Sequence, residues 1–218
     1  MANFDRIAPL YRALEYGSFG PLLARCRAAW LPELGGSRRA LVLGDGDGRF
    51  LARLLRQAPA VYVDSVDGSP AMLRRQLRRA QRAGAQARVR LHRADARTFP
   101  PPGDAYDLVA THFFFDCLTE AELEALVARV VPRLAPNARW LVSEFAIADH
   151  GWRRLPMRLV VGGLYLAFRW ITGLQVRRLP DYAAALQRHG LRRIACRPFL
   201  GGLLRAELWD RVPARQAS

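Results

Sequence analysis

The stretch LVLGDGDGRF places Gly44, Gly46 and Gly48 between a β-branched run and a helical one. Glycines at such a junction let backbone N–H groups and the positive end of the helix approach an anionic or polar ligand closely. The spacing is G-x-G-x-G. Arg49 stands where a dinucleotide fingerprint has its third glycine, so the usual nicotinamide pattern is absent. Asp67 closes the next apolar run, where an acid can accept both hydroxyls of a ribose, and Asp95 closes the one after, where a carboxylate can accept from an adenine amine. Either aspartate alone also reads as a turn or helix-cap residue. A glycine turn followed by acids at two successive strand ends describes a nucleoside site. For proton transfer the candidates are His112 at the end of a fourth run, then Asp116, Glu144 and Tyr165. His112 also reads as a hydrogen-bonded strand terminus, Asp116 as a helix start, Asp149-His150 as a solvated loop pair, and Phe113, Phe114 and Phe115 as core and pocket wall together.

These residues need a scaffold, and periodicity supplies one. From residue 40 onward β-branched runs alternate with stretches of helical period, the pattern of a parallel sheet built from βαβ units. Strands are predicted near residues 40–44, 61–66, 88–93, 106–111 and 139–145. The helix after Gly48 carries Phe50, Leu51, Leu54 and Leu55 on one face. The helix opened by Pro70 turns Met72, Leu73, Leu77 and Ala80 inward and Arg74, Arg75, Arg78, Arg79 and Arg82 outward. A third begins at a capping box, Thr119 to Glu122, and buries Leu123, Leu126, Val127 and Val130. Pro136-Asn137 then turns the chain into the fifth strand. Residues 191–197 and 203–211 read as an antiparallel hairpin at the sheet edge, joined around Gly201-Gly202. The expected fold is α/β: a Rossmann-like seven-stranded sheet, mostly parallel with an antiparallel C-terminal hairpin, and helices on both faces.

Composition narrows the chemistry. The 218 residues include 34 basic against 19 acidic ones, a net charge of +15, and every basic residue is arginine. Without lysine there is no Walker-type phosphate loop and no Schiff-base catalysis, and arginine stays protonated, so proton transfer falls to His, Asp, Glu, Tyr or Cys. Cys26, Cys117 and Cys196 are far apart and lie in no CxxC or Cys/His cluster, so neither a disulfide framework nor a metal site is expected. With no basic n-region before an apolar core at the start of the chain, a reduced, cytoplasmic setting is expected. The basicity reads as a solvated arginine-rich surface, or as a face for an anionic partner such as RNA or membrane.

On these residues the sequence resembles the class I S-adenosylmethionine-dependent methyltransferases, over about residues 38–145 and the hairpin ending in RAELW. The resemblance implies S-adenosyl-L-methionine as cofactor. It assigns Gly44, Gly46 and Gly48 to the methionine moiety, Asp67 to the ribose, and Asp95 with Ala96 to the adenine. Gly68, Met72 and Thr111 complete the implied contacts. YDLVATHFFFD looks like the fourth strand and the loop bordering the methyl donor, and LAPNARWLVSEF like the approach to the fifth strand. The family has an acid two residues before the first glycine; Val42 stands there, which leaves Asp45 or Asp47 to orient the methionine ammonium. The opening FDRIAPLYRALEYGSFG resembles that of the quinone and lipid methyltransferases, in which such a segment folds over the cofactor, so Tyr11 and Tyr16 would close the site. It reads equally as an amphipathic helix burying Phe4, Ile7, Leu10 and Leu14.

One domain is expected over 1–218: a helical cover (1–37), a cofactor-binding core (38–150), a helical lid (151–180), and a C-terminal helix, hairpin and short tail (181–218). The expected activity is methyl transfer to a small, hydrophobic acceptor such as a quinone, lipid or phenol. One alternative is RNA methylation, suggested by eight arginines between Arg74 and Arg93; against nucleic acid, the place of a [DN]PP[YF] turn reads THFF. Another is cofactor binding without catalysis. Residues 155–178 are apolar, but Arg158 and Arg169 interrupt them and leave LVVGGLYLAF, about 15 Å of helix, too short to span a membrane. They read as a lid over the substrate, an interfacial helix on an anionic membrane, or a core helix.

Overall fold

The computed structural model describes residues 21–146 and 180–212. Tyr11, Tyr16, Asp149, His150, Tyr165 and the expected lid lie outside them. Seven strands form one sheet: β1 (Arg39–Leu43), β2 (Tyr62–Asp67), β3 (Val89–Arg93), β4 (Tyr106–His112), β5 (Leu134–Phe145), β6 (Leu191–Phe199) and β7 (Leu204–Arg211). Their order is β3-β2-β1-β4-β5-β7-β6. The first five pair in parallel, and β7 runs antiparallel to both β5 and β6. The order reverses between β1 and β4, and at such a switch point an open α/β sheet has its ligand crevice, beyond the carboxyl ends of the strands.

Five helices flank the sheet among the described residues: α1 (Pro21–Arg27), α2 (Arg49–Gln57), α3 (Pro70–Arg82), α4 (Glu120–Val130) and α5 (Tyr182–Arg188). Strand alternation divides the core. Ala40, Val42, Leu108, Ala110 and Leu141 pack with Phe50, Leu51, Leu54 and Ala80 of α2 and α3. Leu41, Val109, Trp140 and Val142 pack with Leu123, Val127 and Leu186 of α4 and α5. Burial on both faces is why the strands read as nearly continuous apolar runs. On α1, Leu23 and Cys26 pack with Phe145, Leu204 and Ala206, and Trp30 Nε1 donates to Ala206 O at 3.0 Å, so this part of the N-terminal cover seats on the C-terminal hairpin.

The capping box of α4 forms as expected, Thr119 Oγ1 accepting from Glu122 N while Glu122 Oε2 accepts from Thr119 N. Two expectations need correction. The turn at Pro136-Asn137 lies inside β5: Leu134 pairs with Tyr106 and Arg139 with Leu108, so the intervening residues bulge from a strand that begins earlier than expected. On α3, Arg79 is not outward but reaches back to Asp47, Gln76 is fully buried, and Leu73 and Leu77 are only half-buried. The difference on α3 arises because its inner face meets the polar glycine turn as well as the apolar sheet.

Candidate active site

The glycine turn leaves β1 with three left-handed residues, Gly44 (φ 66°), Gly46 (φ 62°) and Gly48 (φ 81°). At Gly44 a Cβ would lie 2.7 Å from the Phe114 ring, and at Gly48 it would lie 2.9 Å from Gln76 Cγ and 3.0 Å from its Cα. Those two glycines allow close packing. Over Gly46 nothing stands within 4 Å, so the turn is open there. Gln76 braces it from behind: Nε2 donates to Gly46 O at 2.9 Å, and Oε1 accepts from Ser65 Oγ at 2.8 Å.

The two aspartates of the turn differ. Asp47 accepts from Arg49 Nε at 2.9 Å and Arg79 Nη2 at 3.0 Å, and is committed to those ion pairs. Asp45 is buried, and its Oδ2 accepts from Leu51 N at 2.9 Å while Oδ1 has no partner among the described residues. Burial pushes this carboxyl up to about 7, against the lowering influence of the Leu51 N–H and the nearby Arg27 guanidinium.

Asp67 ends β2 beside the turn. Its Oδ2 accepts from Gly46 N at 3.2 Å and its Oδ1 from Ser69 N at 2.9 Å, while Ser69 in turn caps α3 through Met72 N. One carboxylate thus ties the glycine turn to the loop after β2. Asp95 is gripped by Arg97, with Nη2 at 2.6 Å from Oδ2 and both Arg97 N and Nε at 3.0 Å from Oδ1. Those contacts hold its carboxyl below the usual range. Beside it an open hollow of about 410 Å³ is lined by Asp95, Arg97, Glu122 and Arg129 among others. Gly68 stands next to Asp67 with ordinary backbone, while Met72 and Ala96 are buried. Thr111 is fully buried and its Oγ1 accepts from Trp140 Nε1 at 3.1 Å, which commits its hydroxyl to the core.

His112 is 3% exposed, edge-on to Phe50 at 4.3 Å between ring centroids, and paired across the sheet with Ser143, whose Oγ lies 2.9 Å from Nδ1. Ser143 Oγ also lies 3.4 Å from Cys26 O, and Nε2 of the imidazole is buried with no partner among the described residues. Burial, then Arg27, holds the imidazole well below its usual range, so it is neutral. Arg27 is itself buried, with its guanidinium 5.1 Å from the centre of the Phe113 ring.

Glu144, which also ranked among the sequence candidates for proton transfer, has a second role that the sequence did not suggest. Fully buried at the end of β5, it accepts through Oε1 from Phe114 N at 2.8 Å and Phe115 N at 2.7 Å, and it also takes the Asp116 N–H. Three successive N–H groups form a nest around the carboxyl. The signal in the sequence was an acid inside the otherwise apolar LVSEF. Gln76 left a similar signal, as a polar residue one turn from both Met72 and Ala80 on an inward helical face.

A family profile for a methyltransferase domain matches residues 40–137. Among curated proteins none matches the chain. Solved structures do. Mitomycin 7-O-methyltransferase MmcR is similar at a TM-score of 0.69 and 19% identity, over 95% of this chain and 60% of that one. An O-methyltransferase family protein from Burkholderia thailandensis gives 0.72 and 16%, over 96% and 61%. An O-methyltransferase family 2 protein from Planctomyces limnophilus, in complex with apigenin, gives 0.69 and 19%, over 94% and 62%. The chain therefore spans about three fifths of the length of these structures, and the likeness is one of fold. The superfamily's cofactor is S-adenosylmethionine, and the residues present suit it: open space over Gly46, a buried Asp45 oxygen without a partner among the described residues, and Asp67 alongside. Residues 40–137 thus match a methyltransferase-domain profile, and the seven-stranded fold built around them is that of the solved O-methyltransferase structures.

Proposed function

We propose that the protein transfers a methyl group from S-adenosylmethionine to a small, hydrophobic acceptor. The observation that carries the reading is the Asp67 carboxylate, fixed by Gly46 N–H and Ser69 N–H so that one acid stands at the open glycine turn. Asp67 would accept the ribose hydroxyls, Asp45 the methionine ammonium, and Asp95 with Ala96 the adenine edge. For Asp95 this means sharing the carboxylate with Arg97 or displacing that side chain into the adjoining hollow. When bound, the cofactor supplies an electrophilic methyl group on a sulfonium. The protein's part is alignment, exclusion of water and, for a hydroxyl acceptor, removal of a proton.

His112 ends β4 and Asp116 stands in the turn after it, and these two are the proposed proton acceptors at that edge; Tyr165 is a further proposal outside the described residues. Two of the similarly folded structures, one named for mitomycin and one in complex with apigenin, are in keeping with a small-molecule acceptor. We place residues 155–178 as the apolar wall of the acceptor pocket, with its flanking arginines able to meet an anionic membrane surface. The test is transfer of labelled methyl from S-adenosylmethionine to a panel of quinols, phenols and amines, with an RNA pool as the competing substrate. Label in the small molecules supports the reading, and label only in RNA contradicts it.

A further inference from the structure

Asp95 follows β3 on a fastened stretch of backbone. Its carbonyl accepts from Thr98 N at 3.1 Å and Phe99 N at 2.9 Å, and its Oδ1 accepts from Arg97 N at 3.0 Å, so the chain turns tightly around it. Arg97 O is held in turn by Arg129 Nη2, which reaches across from α4. The Arg97 guanidinium is the part of this turn that no backbone bond fixes. Its Nη2 lies 2.6 Å and its Nε 3.0 Å from Asp95 Oδ2, the oxygen that the Arg97 N–H leaves open. A carboxylate oxygen has two lone pairs, and these two donors fill both.

The third arm of the guanidinium has an anchor of its own. Arg97 Nη1 donates to Glu122 Oε1 at 3.0 Å, while Glu122 Oε2 is fixed by Thr119 N and Thr119 Oγ1 at 2.9 Å each in the capping box of α4. Both carboxylates line the hollow of about 410 Å³, a size within the roughly 300–1,000 Å³ of small-ligand clefts. The Arg97 side chain is 37% exposed, so water can take over its donors when it leaves Asp95.

From this geometry we propose that Arg97 is an autoinhibitory latch on the adenine end of the cofactor site. In the free protein it is closed on Asp95 Oδ2; when an adenine amine takes that oxygen, the guanidinium swings about Glu122 into the hollow. The proposal rests on the methyltransferase reading. Its consequence is thermodynamic: the cofactor binds the open form alone, so its apparent affinity is reduced by the fraction of molecules that are open. The Arg97 contacts hold the Asp95 carboxyl below the usual range, so both partners are charged and the latch is closed at neutral pH.

The test is titration calorimetry of S-adenosylhomocysteine into the full-length parent, Arg97→Ala and Arg97→Gln, with thermal melts confirming that each is folded. Arg97→Gln keeps most of the aliphatic stem and carries the test if Arg97→Ala does not fold. The pair is partly exposed and opening it is a modest step, so loss of the guanidinium should tighten binding about three- to tenfold. Asp95→Ala removes the adenine partner and the catch of the latch together. Its cost should therefore be smaller in the parent than in the Arg97→Ala background, by that same three- to tenfold. In nitrogen-15 spectra of the parent, the Arg97 Nε–H, assigned by its loss in Arg97→Gln, should be protected from solvent exchange and should lose that protection on addition of S-adenosylhomocysteine. Equal or weaker binding by the folded Arg97 variants, an equal cost of Asp95→Ala in both backgrounds, or protection retained in the complex overturns the latch. Absence of binding by every folded protein overturns instead the reading beneath it.

Discussion

Asp45 Oδ2 accepts the Leu51 N–H at 2.9 Å, and this bond caps α2 from outside the helix. The N-cap position belongs to Gly48, which has no side chain to offer. The turn therefore uses glycine at the cap for its backbone and borrows the capping oxygen from three residues earlier. The same carboxyl is left with a buried second oxygen, a stability cost placed where a cationic ligand would relieve it.

Asp45→Asn should consequently stabilise the free protein while weakening the cofactor. In the folded state the carboxyl stands at about 7, against an ordinary value near 3.8, so its contribution is fully present below pH 4 and is lost as pH rises through 7. The amide keeps an oxygen for Leu51 N–H and has no charge to bury. Denaturant melts at pH 8 should gain at least ~1 kcal/mol, with the difference vanishing near pH 4. A variant less stable than the parent at pH 8 contradicts the assignment.

Gly46→Ala and Gly48→Ala should separate binding from folding. At Gly48 an added Cβ meets Gln76 backbone at 3.0 Å under φ 81°, and a loss of about 2–3 kcal/mol is expected. At Gly46 only the left-handed backbone is strained, about 1 kcal/mol, but the methyl projects into the open face of the turn. Thermal melts combined with binding should show Gly46→Ala folded and poor at holding S-adenosylhomocysteine. Parent-like affinity in that variant would argue against a ligand over the turn.

His112→Ala should lower turnover and leave the affinity for S-adenosylhomocysteine nearly unchanged. Its imidazole is held neutral, so its stability contribution is present above its ordinary midpoint of 6.5 and is lost as pH falls through the depressed folded value. The parent should thus lose stability faster than His112→Ala on acidification below pH 6.5. If the variant loses cofactor affinity and keeps its turnover per bound cofactor, the ring serves only to brace Ser143 and Phe50.

The strand positions and most of the helix faces were legible because they rest on local periodicity: the apolar runs LVLG and DLVAT mark strands that are buried in the sheet. What was not legible depends on contacts distant in sequence. Arg79 looked outward since helical period counts residues and not partners, yet Asp47 lies 32 positions away and within reach. Asp95 was read as available to a ligand, and the neighbour that grips it, Arg97, is ambiguous in sequence because an arginine two residues on can point anywhere. Glu144 read as a candidate base, but its hold on the turn after β4 depends on N–H groups about 30 residues upstream, which meet it only once β4 and β5 pair.

The central claim is that the glycine turn and Asp67 form the S-adenosylmethionine site, and titration calorimetry of S-adenosylhomocysteine into the parent and into Asp67→Ala tests it most directly. Hydrogen bonds to a charged carboxylate contribute about 1.5–3 kcal/mol, so the account predicts one-to-one binding in the parent and affinity roughly tenfold to a hundredfold weaker in the variant. No binding by the folded parent, or equal affinity in both proteins, would contradict it.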